Sequence, residues 1–73
     1  MTDDKRITGT KDEDYDLLSV LYHLLQGAET SQRYLQDADQ AGDGELAQYF
    51  REVQAQYRQL AQQGKQMLAQ RLR

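Results

Sequence analysis

The chain has 73 residues, with nine basic and twelve acidic side chains for a formal charge of −3, and contains neither cysteine nor proline. That length allows one domain at most, and a core so small that a staple or partner subunit is often needed. The lack of cysteine excludes disulfides and thiolate metal sites, and no apolar run approaches the roughly 20 residues that span a bilayer.

With Ala, Leu, Gln, Glu and Arg abundant, helix is favoured nearly everywhere. The acidic opening "MTDDKRITGTKDEDYD" does not resemble a secretion signal, so a soluble, cytoplasmic, all-α protein is expected. Charge is uneven along the chain, with a balance of −3 over residues 1–16, −4 over 17–50 and +4 over 51–73. Acid near a helix start and base near a helix end complement the helix dipole, and in a hairpin those two ends lie side by side.

In chain order, residues 1–9 carry no apolar period and end at Gly9, which predicts a flexible N-terminal tail. Thr10-Lys11-Asp12-Glu13 then has the form of a capping box, placing a first helix over 11–41. The turn "GDG" at 42–44 offers a glycine for a left-handed C-cap and Asp43 as the next N-cap. A second helix follows over 44–72, so residues 10–73 form one helical hairpin.

Leu17, Leu21, Leu24, Ala28, Ser31, Leu35 and Ala38 alternate by four and three residues along the first helix. The second repeats this with Leu46, Phe50, Val53, Tyr57, Leu60, Gly64 and Met67, which predicts a coiled-coil-like antiparallel seam. Glycines 27 and 64 interrupt the helices; Gly64 falls in the seam, where it would allow close approach, and Gly27 beside it, where it would admit a helix from another subunit. Tyr15, Leu18, Tyr22 and Leu25 form a second apolar stripe, to which Ala47, Ala61 and Leu68 add from the second helix. The economical way to cover this oligomer interface is a homodimer of hairpins making a four-helix bundle, with a larger ring or a protein partner as alternatives. Twelve glutamines occupy mostly the remaining faces, as uncharged helix formers.

Chemistry is sparse. His23 and Glu29 are six residues apart and point about 120° away from each other on a helix, so they cannot share a metal. Glu29 continues the Tyr15, Tyr22 stripe and is the one candidate metal ligand, through a symmetric dimer; its plainer role is an ion pair with Arg33. No phosphate loop or nucleophile–histidine pair is present, so neither an enzyme nor a cofactor is expected. Arg51, Arg58 and Lys65 recur every seven residues as a basic, anion-binding stripe, but the acidic net charge and the lack of interleaved aromatics weigh against nucleic acid.

The segment "YDLLSVLYHLLQGAETSQRYLQDADQAGDGELAQYFREVQAQYRQLAQQGKQMLAQRL", Tyr15 to Leu72, resembles small uncharacterised bacterial helical-hairpin proteins of the ferritin-like type. They share a mid-helix glutamate, a short acidic turn and an "ELxxxF" opening to the next helix. The resemblance implies a four-helix architecture, built here by association, and a ferritin-like metal-binding oligomer as the alternative function. Glu29 matches the first-helix glutamate and Glu52 the glutamate of Glu-x-x-His, but the histidine position is Ala55, so the di-iron motif is not intact. The leading expectation is a non-enzymatic, self-associating helical module.

Overall fold

A computed structural model describes residues 12–72, and in it the chain is an all-α hairpin. Helix α1 spans Asp12–Gln40 and helix α2 Gly44–Arg71, each within a residue or so of the bounds read from sequence. The tail at 1–9 and the first half of the capping box, Thr10 and Lys11, lie outside the described residues. At 29 and 28 residues the helices are each about 43 Å long. Neither is apolar enough over a long enough stretch to cross a membrane.

The turn forms for local reasons. Gly42 adopts φ +73°, which costs glycine nothing, and its N–H donates to the Asp39 carbonyl while the Asp43 N–H donates to the Ala38 carbonyl. Those two bonds make a Schellman cap that satisfies the last carbonyls of α1. Asp43 then caps α2, its Oδ1 accepting from the Leu46 N–H at 3.1 Å. At the open end of the hairpin, Arg71 Nε donates to Asp14 Oδ1 at 2.7 Å.

On α1 the seam is the one predicted: Leu21, Ala28, Ser31, Leu35 and Ala38 are buried, with Leu17 and Leu24 half-buried. On α2 it is not. Leu46, Leu60 and Met67 are exposed, and the buried or half-buried line runs Ala47, Phe50, Gln54, Tyr57, Ala61, Gly64, Leu68, with Val53 at its margin. The two candidate lines share Phe50, Tyr57 and Gly64, and exchanging one for the other turns α2 by about 50°, half the angle between successive residues. The reason is steric. Ala28, Ser31 and Ala38 give α1 a small-residue seam, and the chosen line brings the small Ala47, packed with Leu35 and Ala38, and Ala61 against α1 where Leu46 and Leu60 would wedge the helices apart. Ala47 and Ala61 are 1% and 2% exposed, the most buried hydrophobic side chains described.

This rotation revises both helical glycines. A Cβ at Gly64 would sit 3.5 Å from Leu21 Cδ1, an ordinary contact, so glycine is not required there. A Cβ at Gly27 would lie 2.7 Å from two ring carbons of Tyr57. The space at Gly27 is therefore taken by a tyrosine of the same chain and not by a helix from another subunit.

Candidate interaction surfaces

Residues of α1 and α2 lie level in an antiparallel order shown by four contacts: Asp14 with Arg71, Leu21 with Gly64, Gly27 with Tyr57, and Tyr34 with Phe50. Two helices side by side leave two broad faces, one on either side of the plane of their axes. Seven-residue spacing sorts the exposed side chains between these faces.

One face carries most of the residues singled out from sequence. Leu18 and Leu25 of α1, with Tyr15 and Tyr22 behind them, are exposed, and Arg51, Arg58 and Lys65 border the seam from α2. Between the helices lies an open groove of about 650 Å³, with Ala28 and Ala61 at the seam and Tyr22, Leu25, Glu29, Arg58 and Lys65 around it. Apolar side chains hold only the half of this face away from the turn. Toward the turn it becomes polar, with Gln32, Gln36 and an ion pair of Arg51 to Asp39 at 3.8 Å between exposed groups. A pair so exposed contributes little to stability. The ion pair expected between Glu29 and Arg33 is not formed, the pairs among the described residues being Arg51–Asp39 and Arg71–Asp14. Leu68, grouped by sequence with the oligomer interface, is half-buried along the intramolecular seam, a consequence of the α2 rotation.

The opposite face was not read from sequence as a surface at all. Val20 and Tyr34 of α1 and Leu46, Tyr49, Leu60 and Met67 of α2 are between 41% and 60% exposed, and half-buried Val53 lies among them. Tyr34, Phe50 and Tyr49 are in ring contact, with centroids 5.8 Å and 6.1 Å apart, which ties the turn end of this ribbon together. Most of its α2 side chains are the very ones that sequence placed in the seam. Their seven-residue repeat, 46, 53, 60 and 67, signals a second stripe once the small-residue line beside it is recognised as the true seam.

Gln54 is the other residue that sequence reasoning missed. It is 6% exposed, and its Nε2 donates to the Ala28 carbonyl at 3.1 Å and to Gln32 Oε1 at 2.9 Å. A buried amide with both its bonds across the hairpin fixes the register of one helix on the other. His23 is exposed; its Nδ1 lies 2.9 Å from the Ser19 carbonyl, which makes that nitrogen the donor, and its ring stands edge-on to Tyr22. Among the described residues no three His, Asp or Glu side chains are grouped to hold a metal ion, and Glu29 stands at the groove without a second carboxylate or histidine beside it. Comparison with protein families, with curated proteins and with solved structures returns no match for this chain.

Proposed function

We propose that the hairpin is a self-associating structural or interaction module, not an enzyme, and that two copies pair into a four-helix bundle. The observation that carries this is the imbalance between core and surface. Among the described residues the only large hydrophobic side chains that are buried are Leu21 and Leu35, while eleven large apolar side chains are exposed. The other buried hydrophobics are alanines, whose burial removes little area from water. A core this thin is a weak counterweight to the entropy of ordering some sixty residues, at about 1–2 kcal/mol each for the backbone alone. Docking the exposed residues against a second copy would supply the missing burial, and would give the bundle that the ferritin-like resemblance implies.

Folding coupled to association makes stability depend on protein concentration. Thermal unfolding followed by circular dichroism should show a midpoint that rises several degrees between low-micromolar and millimolar chain. A midpoint independent of concentration across that range, together with full helicity at the lowest, would refute the proposal.

A second reading has one observation in its favour. Arg58 and Lys65 border the groove without an ion pair among the described residues, so an anionic ligand, nucleic acid included, has two cations to meet. Salt-sensitive binding of a duplex, weakened by Arg58→Gln and Lys65→Gln, is the result that reading requires.

A further inference from the structure

The geometry points to the ribbon face, and not the groove face, as the surface that receives the second copy, with the two hairpins aligned turns together so that α1 of each lies on α2 of the other. This rests on the self-association reading above, and specifies the interface it uses. The ribbon runs from the level of Met67 to that of Leu46, about 30 Å, across two helices each about 10 Å wide. That is on the order of 600 Å² per partner, at the lower edge of the area that stable complexes bury.

Charge distribution separates the faces. From the level of Met67 to that of Leu46, the positions lining the ribbon are His23, Gly27, Thr30 and Asp37 on α1 and Tyr49, Val53, Gln56, Leu60 and Gln63 on α2, with Glu52 at its α2 margin; Asp37 and Glu52 are its only acids, and it has no lysine or arginine. The groove face carries Glu29 and Arg58 in its middle, Asp39 and Arg51 toward the turn, and Lys65 beside Tyr22 and Leu25 toward the open end. Interface cores are depleted of charge, and of the two faces the ribbon is the less charged, its acids lying at Asp37 near the turn and at Glu52 on its edge.

Two symmetric arrangements are open to face-to-face hairpins. With turns together, a two-fold axis along the bundle lays α1 on the partner's α2 at matching levels. Val20 then faces Met67 of the partner subunit, Tyr34 faces Val53 of the partner subunit, and His23 and Thr30 face glutamines. The same offset sets Asp37 opposite Tyr49 of the partner subunit, whose hydroxyl is a donor; with turns apart and α2 centred on its own copy, Asp37 is instead brought against the apolar Val20 of the partner subunit. The net charges also favour the first. Helix α1 carries seven acids and one arginine, and α2 two acids and four bases, so α1 on α2 joins opposite signs where α1 on α1 joins like ones. Every neighbour in the resulting bundle is antiparallel, the up-down-up-down arrangement.

The test uses the full chain. Light scattering and sedimentation are measured on wild type, on Val53→Gln/Leu60→Gln and on Leu18→Gln/Leu25→Gln, with circular dichroism on each. Spin labels are placed at a single cysteine, Ala41→Cys, which is exposed beside the turn in a chain with no other cysteine. A dimeric wild type, association weakened roughly a hundredfold or more by the ribbon pair but not by the groove pair, and a label separation of about 20 Å support the proposal. Association lost in Leu18→Gln/Leu25→Gln and kept in Val53→Gln/Leu60→Gln overturns the choice of face while self-association stands. A separation of about 40 Å, the length of a helix, overturns the alignment even if the ribbon variant fails to fold. A monomeric, folded wild type overturns both this inference and the reading it rests on.

Discussion

Replacing Gly64 by alanine should make the protein more stable, against the usual direction for a buried position in a packed seam. Glycine inside a helix is disfavoured relative to alanine by about 1 kcal/mol. The new methyl group would be 3.5 Å from Leu21 Cδ1 and 3.9 Å from Leu21 Cβ, ordinary contacts at a buried site, so it also removes apolar area from water, worth up to ~0.8 kcal/mol. Together these predict a gain of about 1–2 kcal/mol, and for a chain this size each kcal/mol moves the midpoint by about 4–8 °C. Gly27→Ala is the internal control. It has the same propensity gain, but its Cβ would stand 2.7 Å from the Tyr57 ring, which must shift, and overpacking of this kind costs about 1–3 kcal/mol. Thermal unfolding of both variants at one matched concentration should place Gly64→Ala well above wild type and Gly27→Ala at or below it. Equal midpoints for the two, or the reverse order, would show that the helices do not meet as described.

Substitutions at two further positions probe the register and the turn. Gln54→Ala removes two hydrogen bonds to α1, one buried and one part-buried, and should destabilise by about 1–3 kcal/mol in chemical denaturation, while Gln54→Leu should keep helicity but broaden amide resonances as the helices lose a fixed register; unchanged spectra in both would contradict the role given to this amide. Gly42→Ala places a Cβ on a residue at φ +73° and should cost about 1 kcal/mol with no change in helix content, and an unchanged midpoint would mean that the turn adopts another conformation.

What sequence made legible here is what is decided locally. Gly42 and Asp43 specify the Schellman cap and the N-cap by their own chemistry, without reference to any distant residue. The α1 seam was also readable, because leucines and small residues alternate there and the next candidate stripe, Tyr15 to Leu25, covers only part of the helix. The α2 seam was not, since two four-three lines share Phe50, Tyr57 and Gly64, and hydrophobicity favours the one with Leu46, Leu60 and Met67. The line chosen, with Ala47, Gln54 and Ala61, is decided by the small side chains it meets on α1, information that no window on α2 contains. Gln54 escaped for a related reason. A glutamine reads as solvated until an acceptor across the hairpin, here the Ala28 carbonyl, is known to face it. The misplaced seam concealed the ribbon face, so the surface set was legible for Tyr15, Leu18, Tyr22, Leu25 and the basic stripe and illegible on the opposite side.

The central claim, that this hairpin completes its core against a second copy of itself, is tested most directly by the mass in solution. Light scattering on the eluting peak at micromolar to millimolar concentration should return twice the mass of one 8.5 kDa chain, falling toward one chain together with helicity on dilution. A single-chain mass at every concentration, with helicity undiminished, would contradict the account.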